Sequence, residues 1–133
     1  MQKSRTRQEL LDNTVRHFNS TNRGYANGGC CYRAGQGLAC SIGRELSDEL
    51  ARKFDRYDHS SLPHVFHKLP RRLRRLGVLF LEGVQLLHDA AGYWDESGLS
   101  DSGRRYVKGI CEKYKLKNPA LISNQNRTNE KRN

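Results

Sequence analysis

Three of the four cysteines, Cys30, Cys31 and Cys40, fall within the glycine-rich stretch "NGGCCYRAGQGLACSIG". Thiols at that density raise three chemistries: a metal site, a nucleophile and a redox pair. Structural zinc needs four close ligands, usually in Cys-x₂₋₄-Cys or His-x₃₋₅-His spacing. Cys30 and Cys31 are adjacent, and no second cysteine pair follows; His64-x-x-His67 offers two nitrogens on a proline-bounded connector. No metal and no cofactor is expected from these spacings. Cys40 with His88 and Asp89 supplies the residue types of a thiol hydrolase or acyl transferase. A reactive cysteine sits at a helix N-terminus or beside a cation, whereas Cys40 falls on an expected strand. His88 and Asp89 are neighbours in sequence, so on a helix they point about 100° apart. His88 is therefore expected to bond a backbone carbonyl of the hairpin, and the thiols to be small buried groups that fill space.

Arginine offers a second chemistry. Arg33 follows Tyr32, and side chains alternate on a strand, so a core-facing Tyr32 turns Arg33 outward. Its guanidinium fork matches a phosphate or a carboxylate, with Asp48 or Glu49 as the internal candidates. The segment "KLPRRLRRLG" gathers Lys68, Arg71, Arg72, Arg74 and Arg75 with no acid between them. On a helix Arg71 and Arg75 share a face, and like charges there repel by about 0.2–0.5 kcal/mol. The whole chain carries 24 Lys+Arg against 14 Asp+Glu, a formal charge of +10. That balance favours acidic partners. No helix-turn-helix, zinc-finger or RNP-like pattern accompanies it. Tyr25, Tyr32, Tyr93 and Trp94 have the rings to stack bases, though core packing is their commoner use.

The elements that would position these groups are legible in part. Thr6-Arg7-Gln8-Glu9 reads as a capping box opening a helix near 7 to 19. Cys31-Tyr32-Arg33 and Leu38-Ala39-Cys40-Ser41-Ile42, around Ala34-Gly35-Gln36-Gly37, read as a β-hairpin ended by Gly43. A two-residue loop sets Cys31 opposite Cys40; a three-residue loop with a bulge at Gly37 sets Tyr32 there. Ser47 caps a second helix with Leu50, Phe54 and Tyr57 on one stripe, and Asp48 and Glu49 at its positive end. Pro70 opens a short arginine-bearing helix stopped by Gly77. "VLFLEGVQLLHDAAGYW" reads as the central helix, and Ser100 caps a last helix with Tyr106, Val107, Ile110, Cys111 and Tyr114 on one face. No run of about 18 apolar residues exists, so no membrane span is expected. The first residues have no apolar signal core, so the expectation is a reducing cytoplasm with free thiols.

Cys30, Tyr32-Arg33, Gly37-Leu38, Cys40, Ile42-Gly43 and Asp48-Glu49 form a C-x-Y-R, G-L-x-C-x-[VI]-G, D-E run. This run resembles a family of small tailed-phage and prophage proteins, and the segment Leu81 to Trp94, with Gln85, His88-Asp89 and Trp94, resembles the same family's L-Q-x-x-H-D helix. The resemblance spans roughly residues 7 to 116. The family's turn is usually Gly-Pro-Asp-Gly, where this chain has Ala34-Gly35-Gln36-Gly37. It implies a phage or prophage origin and carries no assigned activity; Cys30, Tyr32, Gly37, Cys40, Gly43, His88, Asp89 and Trp94 enter as structural motif positions.

These readings converge on an α+β, mainly α protein of four or five helices packed around one β-hairpin. Residues 1–116 are expected to form a single globular domain, followed by a basic disordered tail over 117–133. The expected function is that of a phage-encoded accessory protein binding an acidic host protein in the host cytoplasm. Lys68, Arg71, Arg72, Arg74, Arg75 and Arg33 would carry the binding. Non-specific nucleic-acid binding is the alternative, and a zinc-binding or thiol-dependent enzyme using Cys40 and His88 is the third reading.

Overall fold

The computed structural model describes residues 3–23, 25–26, 29–30, 32, 39–57 and 61–120. Helix α1 spans Arg7–His17. The Thr6 hydroxyl accepts from the Glu9 amide at 3.1 Å, as the capping box requires, and Leu10, Leu11, Thr14 and Val15 are buried. Helix α2, Asp48–Asp55, starts the same way at Ser47, whose hydroxyl accepts from Leu50. Two one-turn helices follow, α3 (Leu62–Val65) and α4 (Arg71–Arg74). Gly77, at φ +90°, then redirects the chain into α5, Val78–Asp89. Helix α6, Asp101–Tyr114, is capped by Ser100 and turns its Val107, Ile110 and Cys111 face inward.

The architecture is mainly α with minor β, as expected, but the strands lie elsewhere. Among the described residues there are six α-helices and two short antiparallel hairpins. Strands β1 (Tyr25–Ala26) and β2 (Gly29–Cys30) pair with Tyr25 opposite Cys30. Strands β3 (Trp94–Asp95) and β4 (Gly98–Leu99) pair with Trp94 opposite Leu99. The expected strand ending at Ile42 is not formed over its described part. The Cys40 carbonyl accepts from the Arg44 amide, Ile42 from Glu45, and Gly43 from Leu46, so these carbonyls close a helical turn instead of a ladder. Gly43 serves close approach: a Cβ there would stand 2.0 Å from the Tyr32 carbonyl oxygen. Tyr32 itself is buried edge-on against Phe54, and its amide donates to the Asp55 carboxylate at 2.9 Å. Cys31 and residues 33–38, with Arg33 and Gly37, lie outside the described residues, as does the loop register.

The central helix ends five residues early, at Asp89. Ala90 is extended, and the chain passes through a 3-10 turn into β3. Trp94 Nε1 donates to the Leu87 carbonyl at 2.8 Å, folding the segment back onto the last turn of α5. Helix α6 then packs on α5 and on that 3-10 turn; Gly103 permits the contact, since a Cβ there would lie 2.2 Å from the Tyr93 carbonyl.

The packed chain also continues beyond the boundary expected at 116. Gln8 brackets Lys117, accepting from its amide at 2.8 Å and donating to its carbonyl at 2.9 Å. Ala120 is buried in the core. A polar stretch is held here because one α1 side chain satisfies both backbone polar groups of Lys117. Residues 121–133 lie outside the described residues.

Candidate binding surface

Helix α4 is an improbable helix by itself: four residues, three of them arginines. Its neighbours hold it. Pro70 fixes the entry, and Leu69, Leu73 and Leu76 are all buried in the core. Arg72 is the polar anchor. Its Nη1 donates to Glu45 Oε1 at 3.0 Å and to the Ser4 carbonyl at 2.9 Å, and its Nη2 donates to the Glu45 carbonyl. Glu45 is 1% exposed and Arg72 side-chain exposure is 24%. The Glu45 carboxylate is completed by the Ser4 amide at 2.6 Å and the Ser4 hydroxyl at 3.0 Å. Arg72, expected among the binding residues, is thus neutralised by the protein's own acid. The acid comes from 27 residues upstream, beyond any local spacing rule.

The remaining cations point outward. Arg71, Arg74 and Arg75 are exposed, and among the described residues no carboxylate forms an ion pair with them. Arg74 donates from Nε to the Leu69 carbonyl at 3.1 Å, which steadies its stem. Lys68 sits 4.5 Å above the Tyr57 ring and bonds its hydroxyl at 3.3 Å. Arg7 reinforces the corner from the other side. Its Nε donates to the Leu76 carbonyl at 2.9 Å, and its guanidinium lies 4.9 Å from the Tyr114 ring and 5.4 Å from that of Phe80.

The thiol and histidine groups form a different cluster. Cys40 is 1% exposed, and its Sγ accepts from the Gly43 amide at 3.2 Å. His88 is fully buried, with Phe18 edge-on at 4.7 Å. Its Nδ1 meets Asp89 Oδ1 at 2.8 Å, which corrects the expectation that adjacent residues on a helix would face apart. Asp89 is the last residue of α5, where the carboxylate can fold back. The same Oδ1 accepts from Gln85 at 2.9 Å, and Gln85 in turn accepts from the Ser41 hydroxyl at 3.4 Å. The two separated sequence motifs therefore meet through Ser41 and Gln85. Arg23 closes the end of α5 by donating to the His88 and Asp89 carbonyls at 2.8 and 3.0 Å.

Among the described residues no three His, Cys, Asp or Glu side chains converge to hold a metal ion. His64 bonds the Ser61 hydroxyl at 2.6 Å through Nδ1. Tyr32 and Trp94, two of the rings with base-stacking shape, are buried in the core. No helix among the described residues is long and apolar enough to cross a membrane. Comparison of the chain with protein-family models, with curated proteins and with solved structures finds no match in any of the three.

Proposed function

We propose that this chain is a phage-encoded accessory protein that binds an acidic host protein in the host cytoplasm, using the outer face of α4. The observation that carries this reading is the division of labour within one helical turn. Arg72 is tied to buried Glu45 while Arg71, Arg74 and Arg75 project into water with no internal acid among the described residues. Like charges this close oppose helix formation. Holding them in place with a buried ion pair makes sense where a fixed array of positive charge is useful. The two-motif resemblance is what supports a phage origin, and the +10 net charge supplies long-range attraction.

The test is capture from bacterial lysate, with and without nuclease, by the parent protein and by an Arg71→Glu/Arg75→Glu variant. The reading expects a captured protein that survives nuclease and falls by about tenfold or more with the variant. Capture lost to nuclease, with log affinity falling linearly and steeply against log salt, would make a nucleic acid the acidic partner. Undiminished capture by the double variant would remove α4 from the interaction.

A further inference from the structure

A second surface is left open between α5 and α6. Leu79 and Leu86 are 68% and 54% exposed, the large hydrophobic residues most open to water among those described. Seven positions apart, they stand on one face of α5. Beside Leu79 a groove of about 310 Å³ runs between the two helices. That is the lower end of the about 300–1,000 Å³ range of ligand pockets, enough for a few side chains. Gly83 and Gly109 border it, Ile110 supplies apolar wall, and Arg105 and Lys113 stand along it. The Tyr106 hydroxyl donates to the Gly83 carbonyl at 2.8 Å, pinning α6 to α5.

Gly109 has no structural reason to be glycine. A Cβ there would meet nothing within 4 Å, and its backbone has no left-handed φ. A glycine in mid-helix weakens the helix. What it does is keep the groove empty.

We propose that the α5–α6 groove docks a short segment of a partner protein whose apolar side chains are flanked by carboxylates. The residues lining the groove include two cations and no anion; Glu82 and Glu112 belong to the same helices but not to the lining. A second copy of the chain would bring the same cations face to face. The chain's own 121–133 segment, with Arg127, Lys131 and Arg132 against Glu130, carries the wrong sign. An acidic, apolar segment matches both properties of the groove. This surface is separate from α4, and its test does not depend on the reading given to α4.

The probe is a short fluorescein-labelled peptide with Leu at helical i, i+3, i+4, i+7 positions and Glu elsewhere, beside a counterpart with Lys for every Glu. Fluorescence anisotropy on the full chain should show saturable binding of the Glu peptide and none of the Lys peptide. Gly109→Leu, which fills the groove, and Leu79→Ser, which removes an exposed apolar side chain without altering the charge, should each weaken binding by about tenfold or more. Arg71→Glu/Arg75→Glu should change it by less than about threefold. Backbone amide shifts on titration should gather at Gly83, Gly109 and Ile110, with circular dichroism confirming that the variants fold. The proposal is overturned by absent saturation, by equal binding of both peptides, by undiminished binding in both groove variants, or by shifts that gather on α4. It is equally overturned by a dimer in sedimentation velocity that Gly109→Leu dissociates, which would make a second copy the occupant.

Discussion

The corner built from Ser4, Glu45 and Arg72 and the groove between α5 and α6 are opposites. In the corner both carboxylate oxygens of buried Glu45 accept hydrogen bonds, and Arg72 bonds two backbone carbonyls as well. In the groove an apolar surface stands in water, bordered by a glycine whose missing side chain would have met no obstacle. The first region uses polar groups to fix a position; the second leaves apolar groups unused by the fold. A buried ion pair is weak evidence for stability, because desolvation offsets its attraction. Its effect here is placement, since it decides which of the α4 arginines face outward.

Substituting the two kinds of arginine gives the largest contrast. Arg72→Met strands Glu45 and is expected to destabilise the protein by about 3 kcal/mol. Arg71→Met, the same change one residue away, should stay within about 0.5 kcal/mol. Urea unfolding of the two variants measures the difference, and equal losses would refute the division of α4 into anchor and display. The glycines sharpen the contrast next. Gly43→Ala drives a methyl group into the Tyr32 carbonyl and is expected to cost about 1–3 kcal/mol. Gly109→Ala enters open space and should stabilise by about 0.5–1 kcal/mol, read as a higher melting temperature.

The smallest effect concerns pH. Burial, with the charges of Arg44 and then His88, lowers the pKa of His17 in the folded state. The folded protein then binds fewer protons than the unfolded chain, so this contribution is complete above about pH 6.5 and is lost as pH falls through the lowered value. His17 keeps an exposed edge, so the slope is shallow. Melting temperatures between about pH 7.5 and 5.5 should fall slightly less in His17→Gln than in the parent.

Helix starts were the most legible part of the fold, because a cap acts within three residues. Thr6, Ser47 and Ser100 each accept from the amide three positions on. Glycine was harder to read, since one residue type serves turns, close approaches and open spaces. At Gly43 the close approach decided, and the expected strand became a turn. The apolar stripe running past Asp89 masked the end of α5. Gly92 and the Glu96-Ser97-Gly98 turn carried the signal for the second hairpin. Of the arginine cluster, exposure of Arg71, Arg74 and Arg75 followed from charge density. The fate of Arg72 did not, because the acid that claims it arrives through tertiary folding. The groove was likewise invisible: Leu79 and Leu86 belong to the most apolar segment, and only the placement of α6 shows which face stays uncovered.

Gln8 holds Lys117 across 109 residues of chain. During synthesis α1 emerges long before the residue that Gln8 will clasp, and the Gln8 side-chain amide must wait in water until α6 has followed. Contacts of such separation slow folding, because the intervening loop must be closed before they contribute. The first helix therefore completes its seat late, as the chain comes full circle, rather than while its successors are still being made.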